Sequence, residues 1–204
     1  ERGSSGELSS YQNLADPIWK KRLCLRTSKK VYNQSLIAAK ISQLGEAYVE
    51  EMVASWVSNL AIPPTSNDTK VMEAIISGQC DVGIVNTYYF GRLQDKNSDL
   101  PIALFFPNQN DKDAFGVHVN VSGIGITKFS QNSYRAKVFI EWLISDEAQI
   151  LFSALNKEYP VSDSLDIDPQ VKSWGEFERS SFPLSDIYQY QPLAVKLMDR
   201  VGYK

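Results

Sequence analysis

Residues 78–93 read GQCDVGIVNTYYFGRL, and this stretch decides the architecture. Its first half, Cys80 to Val85, is a short apolar run closed by Asn86, the length and composition of a buried strand. Just upstream, Val71, Met72, Ile75 and Ile76 recur at helical spacing, and Gly78 suits the C-terminal cap of that helix. A helix that hands over to a buried strand, which then opens into an aromatic polar loop, is one unit of a strand–helix alternation.

The same grammar continues outward in both directions. Toward the N-terminus, Val49, Met52, Val53, Trp56, Val57 and Leu60 share one face of a helix running from about Glu46 to Leu60, and Pro63-Pro64 forbids its continuation. A helical pattern before it opens at Tyr32-Asn33-Gln34-Ser35 and reaches about Gln43. Ahead of that, Arg22 to Arg26 (RLCLR) alternates as a strand does. Toward the C-terminus, Ile102 to Phe106 reads as a strand stopped by Pro107. Val117, Val119 and Val121 alternate, and Gly123-Ile124-Gly125-Ile126 prolongs the extended run. Between Ser133 and Leu155 lies the strongest helical signal, with Val138, Phe139, Trp142 and Leu143 on one face and Ala148, Leu151, Phe152 and Leu155 on another. Ser145 is placed to cap a restart. After Pro160 the chain is polar and loop-like until a last helix near Pro192 to Val201. The alternation predicts an α/β fold, a sheet sandwiched by helices. The polar DKD stretch near Asp111, followed by the extended HVNVSG, marks a domain crossing.

With 204 residues, 43% of them hydrophobic and 22% charged, the chain can bury one full core or a core plus a smaller packed segment. A net charge of -3 argues against nucleic-acid partners. Arg22, Arg26, Lys29 and Lys30 do cluster; a solvated loop is the default reading, and local help for a bound anion is the sharper one. No run approaches the ~18 apolar residues of a membrane span, so membrane insertion is not expected. No signal-peptide pattern stands at the start, where the polar Gly3-Ser4-Ser5-Gly6 is what a mature, trimmed or truncated product would show. Cys24 and Cys80 lack CxxC spacing, and each sits beside an expected buried strand. Buried thiols are the favoured reading, with a disulfide left open for an exported protein.

In α/β folds ligands gather at the carboxyl ends of strands. Two loops satisfy that rule, Thr27 to Asn33 and Asn86 to Arg92, and both offer tyrosine: Tyr32 in one, Tyr88 and Tyr89 in the other. A phenol with pKa near 10 is a poor ligand for most metals. A trivalent hard cation changes this, because it prefers oxygen donors and displaces the phenolic proton. Ring packing with hydroxyls bonded to the loop is the competing reading of the pair. Tyr11, Tyr134, Tyr159 and Tyr203 are assigned to packing or surface, Trp56 and Trp142 to cores, and Asp81, Asp95 and Asp99 to solvated turns. The single histidine, His118, falls in an alternating strand and is read as structural. With no GxSxG elbow and no glycine-rich phosphate loop, an enzyme is disfavoured.

YQNLADPIWKKRLCLRTSKKVYNQSL, GQCDVGIVNTYYFGRL, FFPNQN, HVNVSGIGITK and FIEWLISDEAQILFSALNKEYPV together resemble, in order and over nearly the whole chain, bacterial periplasmic ferric-iron-binding proteins. The resemblance implies a periplasmic-binding-protein type II-like α/β fold and a receptor that binds ferric iron (Fe3+) in an interlobe cleft. It further implies delivery to an inner-membrane ABC permease. Tyr88 and Tyr89 match the paired iron-coordinating tyrosines, and Tyr32 the additional tyrosine of one branch. Asn86 matches a position near the synergistic anion, carbonate or phosphate, and Arg26 is given an anion-side or cleft role. Residues 1–118 would form the main part of the C-terminal lobe, 119–169 a segment belonging to the N-terminal lobe, and 170–204 a return to the C-terminal lobe. The rest of the N-terminal lobe, which supplies a further ligand in the family, is missing from the sequence and becomes an implied partner. Two alternatives stand beside this: a same-fold receptor for a different small ligand, and a truncated fragment with no independent metal binding.

Overall fold

The computed structural model describes residues 8–109 and 115–204. The DKD stretch at Asp111 lies outside the described residues. The chain divides into two compact units.

Unit 1 comprises Glu1–Asn86, Asp99–Asn120 and Phe177–Lys204. At its centre β1 (Leu23–Cys24) pairs in parallel with β2 (Val82–Gly83), Leu23 opposite Val82 and Cys24 opposite Gly83. Parallel bridges from Leu23 to Leu60 and from Arg26 to Thr65 extend β1 on its other side. The flanking helices follow the sequence closely. Helix α1 (Val31–Leu44) ends at Gly45, which holds φ at +84°, a conformation costly for any residue with a Cβ. The same glycine precedes α2 (Glu46–Asn59), whose Val49, Met52, Val53 and Trp56 are all buried. Asn67 caps α3 (Asp68–Ile76) by accepting from the Lys70 amide.

The core of unit 1 forms where α1 and α2 meet the C-terminal part of the chain. Leu36, Ile37 and Ile41 of α1 and Ala194, Leu197 and Met198 of a late helix, Gln191–Arg200, belong to one buried cluster with Trp19 and Trp56. Each such large apolar side chain contributes roughly 1.5–3 kcal/mol on burial.

Two sequence expectations differ from the structure here. Ile102 to Phe106 form no ladder; Phe106 instead stacks on Phe177 at 4.4 Å between ring centres. The expected strand from Val117 onward reduces to one bridge, Val117 to Arg179, and Val121 to Ile126 pair with nothing among the described residues. A strand exists only if a neighbour takes its backbone hydrogen bonds, and alternation in one segment cannot supply that neighbour.

The cysteines also differ from the favoured reading. Cys24 and Cys80 form a disulfide, with Cα atoms 5.9 Å apart. The parallel pairing brings Cys24 beside Gly83, so Cys80, three residues earlier, arrives next to β1.

Unit 2 comprises Thr87–Ser98 and Val121–Glu176. It contains α4 (Thr87–Gln94), α5 (Ser133–Leu143), α6 (Asp146–Leu151), a π-helical turn (Phe152–Asn156) and α7 (Pro169–Ser173). The restart expected at Ser145 is present: its side chain accepts from the Ala148 amide, with Asp146 and Glu147 in the first turn where the helix dipole favours them. Lys157 ends the π turn at φ +61° and pairs with Asp95 at 3.5 Å and Asp168 at 3.4 Å. Its packing against α4 leaves no room at Gly91, where a Cβ would stand 2.7 Å from that of Lys157. Trp142, expected in a core, is instead 43% exposed, and none of the residues of α5 is buried. The remaining helices are short α8 (Leu184–Ile187) and α9 (Gln191–Arg200), both in unit 1.

Candidate functional site

In unit 1, the carboxyl ends of β1 and β2 converge on Asp68, the first residue of α3. Its Oδ1 accepts from Arg26 Nη1 at 2.8 Å, while Oδ2 accepts from the Asn86 backbone N–H at 2.9 Å and from Asn86 Nδ2 at 2.8 Å. Asp68 is 1% exposed and Arg26 6%, so this ion pair is desolvated and depends on these hydrogen bonds to offset the cost of burial. The Arg26 guanidinium also stands 5.3 Å from the centre of the Tyr32 ring, within the range of a cation–π contact. Arg26's own carbonyl accepts from Asn33 Nδ2 at 2.8 Å and from the Tyr203 hydroxyl at 2.6 Å. Burial, and next the Asp68 charge, raise the Tyr203 phenol above its ordinary value.

Above this network lies a small cavity of about 50 Å³ lined by Tyr11, Tyr32, Asp68, Asn86, His118 and Asn120, among others. Three residues singled out from sequence are therefore brought together: Tyr32 and Asn86 at the cavity, and Arg26 behind it on Asp68. His118 sits at the cavity too, with Nε2 3.0 Å from the Ser35 hydroxyl. Burial, reinforced by the Lys40 charge, lowers its pKa to about 4, so it is neutral at ordinary pH. The backbone N–H of His118 donates to the Tyr11 hydroxyl at 3.3 Å. Burial pushes the Tyr11 phenol up to about 12 in spite of that bond. Lys40, also buried, is lowered to about 8 by desolvation, and its Nζ donates to Gln43 Oε1 at 3.0 Å.

In unit 2, Tyr88 and Tyr89 occupy the first turn of α4, half-buried, with ring centres 4.4 Å apart and planes tilted by 32°. Arg92 lies one turn on, its guanidinium 5.0 Å from the Tyr88 ring and 5.9 Å from the Tyr89 ring. Asn156 Oδ1 accepts from Arg92 Nη2 at 3.1 Å. The pair thus places two phenol rings side by side with a guanidinium beside them. Among the described residues, no three or more His, Cys, Asp or Glu side chains gather as a metal site.

Asp68 escaped the sequence reading, while Tyr203, assigned to packing or surface, is buried. An acidic residue after Asn67 at a helix start is ordinary capping chemistry, so nothing local marks its second role. Asp81, expected in a solvated turn, is largely covered and pairs with Arg22 at 2.6 Å, while Asp95 is exposed as expected and also pairs with Lys157. Arg22 and Arg26 are therefore both held by carboxylates, while Lys29 and Lys30 are exposed.

Comparison with known proteins places the chain. The family model described as bacterial extracellular solute-binding protein matches residues 30–179. Iron uptake protein A1 of Synechocystis sp. is 39% identical over 97% of this chain and 56% of its own length. The structure of apo FutA2 from Synechocystis superposes with a TM-score of 0.92 at 38% identity, covering 100% of this chain and 66% of that one. Trichodesmium IdiA (FutA), solved in complex with iron and citrate, gives a TM-score of 0.92 at 39% identity, covering 100% of this chain and 65% of that one. The chain spans 56–60% of the length of the two curated iron uptake proteins it matches. The α/β, type II periplasmic-binding-protein fold expected from the sequence is the one shared with these structures, carried here by many helices and one small open sheet. By sequence and by fold, this chain belongs to the bacterial extracellular solute-binding proteins.

Proposed function

We propose that the chain is the greater part of a ferric-iron receptor, a binding protein and not an enzyme, that serves an inner-membrane ABC permease from the periplasm. The observation that carries this reading is similarity, over all of this chain and 65% of the other, to a protein solved with iron and citrate, joined to the neighbouring rings of Tyr88 and Tyr89. On this reading Fe3+ is held in an interlobe cleft by the phenolates of Tyr88 and Tyr89, with Tyr32 as an additional donor. A carbonate or phosphate anion would balance the remaining charge near Asn86. Arg26 would act from behind, since its guanidinium is committed to Asp68. The Cys24–Cys80 disulfide fits an oxidising compartment such as the periplasm.

We further infer that residues 1–118 and 170–204 belong chiefly to the C-terminal lobe and 119–169 to the N-terminal lobe. Support comes from α5 and its surroundings, where Val138, Phe139, Ile144 and Leu155 are 47–73% exposed. An apolar face of that kind is the core side of a larger layer. The remainder of the N-terminal lobe would cover it.

A second reading has its own support. The chain matches little more than half of its curated relatives, and no acidic or histidine cluster assists the tyrosines among the described residues. These favour a chain with no independent metal binding, or a same-fold receptor for another small ligand. Titration with ferric citrate, watched by visible absorption, separates them. A tyrosinate-to-iron charge-transfer band that vanishes in Tyr88→Phe and Tyr89→Phe supports the iron site. No band in the unaltered chain supports the second reading, and a band surviving both substitutions removes the paired tyrosines from the site.

A further inference from the structure

We propose that Asp68 is the positioning residue of the unit 1 cavity, orienting Asn86 directly and the Tyr32 ring through Arg26. The proposal rests on the receptor reading for its functional meaning but on unit 1 geometry alone for its structural content.

Three segments meet at one carboxylate. The exit of β1 contributes Arg26, the exit of β2 contributes Asn86, and α3 contributes Asp68 itself, seated where the helix dipole stabilises negative charge. Asn86 donates to it twice, from the main chain and from the side-chain amide, which fixes both the path of the backbone and the face that the amide turns to the cavity. With Nδ2 directed at Asp68, the carbonyl end of the Asn86 side chain points away from that carboxylate, and its polarity toward a ligand is set by a residue that sequence gave no reason to select.

Arg26 is the second arm. Its Nη1 bonds Asp68 Oδ1, and the guanidinium so held lies over the Tyr32 ring at 5.3 Å. An arginine free to move behind the cavity would leave the place of its charge beside Tyr32 undefined. Held by Asp68, it instead supplies a fixed positive edge beside a phenol. Asp68 thereby fixes Asn86 in the cavity wall and Arg26 behind Tyr32, an arrangement that reduces the ordering cost of binding a small ligand.

The test uses the whole chain as wild type, Asp68→Asn, Asn86→Ala and the double variant. Two quantities are read: amide exchange at Asn86 without ligand, and ferric citrate binding by visible absorption. Loss of a charge-assisted hydrogen bond should speed Asn86 exchange in Asp68→Asn by about tenfold or more. Ferric citrate binding should weaken about tenfold in Asp68→Asn, and part of that loss should disappear when Asn86 is already alanine, because one arm of the effect passes through Asn86. Unchanged Asn86 exchange in folded Asp68→Asn overturns the proposal, as do fully additive losses. If Asp68→Asn does not fold, Arg26→Met/Asp68→Asn, which removes both buried charges, takes its place with the same expectations for Asn86. If wild type shows no iron band, the receptor reading fails for this chain, and the exchange result still decides the positioning role.

Discussion

Cys24 and Cys80 are joined by a disulfide across the start of the parallel β1–β2 pair, and both are essentially without solvent contact. The bond closes a loop with a sequence separation of 56 residues, which contains α1, α2 and α3. Most of the helical packing of unit 1 is thus tied to the strand pair.

Reducing this bond, or replacing Cys80 by serine, should lower the unfolding free energy by about 3–4 kcal/mol through the restored freedom of the unfolded loop. Urea denaturation of oxidised and reduced protein measures it. Equal midpoints would mean that strand pairing alone holds this region.

His118 makes stability depend on mild acidity. Its pKa falls from 6.5 in the unfolded chain to about 4 in the fold, so between these values the unfolded state binds more protons. Stability therefore rises with pH from about 4 to about 6.5 and is level above, a gain of about 3 kcal/mol at most. Lys40, Ser35 and Asn120 act on the imidazole, and Tyr11 accepts from the His118 backbone N–H. His118→Gln should flatten this part of the stability profile relative to wild type, measured by urea unfolding at a series of pH values.

Lys40 is a buried ammonium held by Gln43 and by the Tyr11 ring at 4.8 Å. Its pKa of about 8 leaves it charged at pH 7, at a desolvation cost that methionine would not bear. Lys40→Met should raise stability at pH 7 by about 1–3 kcal/mol. Burial is the main cause that depresses His118 and the Lys40 charge the lesser one, so removing that charge should raise the imidazole pKa only in part. The chain has 1 histidine, and one NMR titration reads the shift without overlap.

Gly91 sits two residues after Tyr89 on α4, where an added Cβ would meet the Lys157 side chain at 2.7 Å and Trp174 at 2.9 Å. Gly91→Ala should destabilise the chain by about 1–3 kcal/mol despite alanine's better helix propensity. Thermal unfolding checks the sign: a rise in Tm would mean that the Lys157 turn yields without cost.

Much of the helical structure was legible from local pattern. The i, i+3, i+4 spacing in Val49, Met52, Val53 and Trp56 gave α2 to within a residue of its end, and the Ser145-Asp146-Glu147 restart reads the same in sequence and structure. Trp56 and Trp142 show the limit. Both lie on apolar helical faces, yet one is 1% exposed and the other 43%, because periodicity tells which face is apolar and not what is packed against it. The candidate site divides similarly. Tyr32, Asn86, Tyr88 and Tyr89 could be picked out from their place after expected strands, since strand ends are where such folds put ligands. Asp68 could not, because its partners Arg26 and Asn86 are 42 and 18 residues away in the chain.

By itself, then, the sequence determined the longer helices and the two short strands, which depend on residues within a turn or two of one another. The expected loop at Tyr88-Tyr89 is instead the first turn of α4, Tyr32 lies in α1, and the stretch after Pro160 holds the short helices α7 and α8. Tertiary structure alone decided the Cys24–Cys80 bond, the commitment of Arg26 to Asp68, the neutral state of His118 and the pairing of Val117 with Arg179. Each of these is set by a neighbour distant in the chain, through burial, a counter-charge or a hydrogen-bond partner. No local pattern encodes which distant group will arrive.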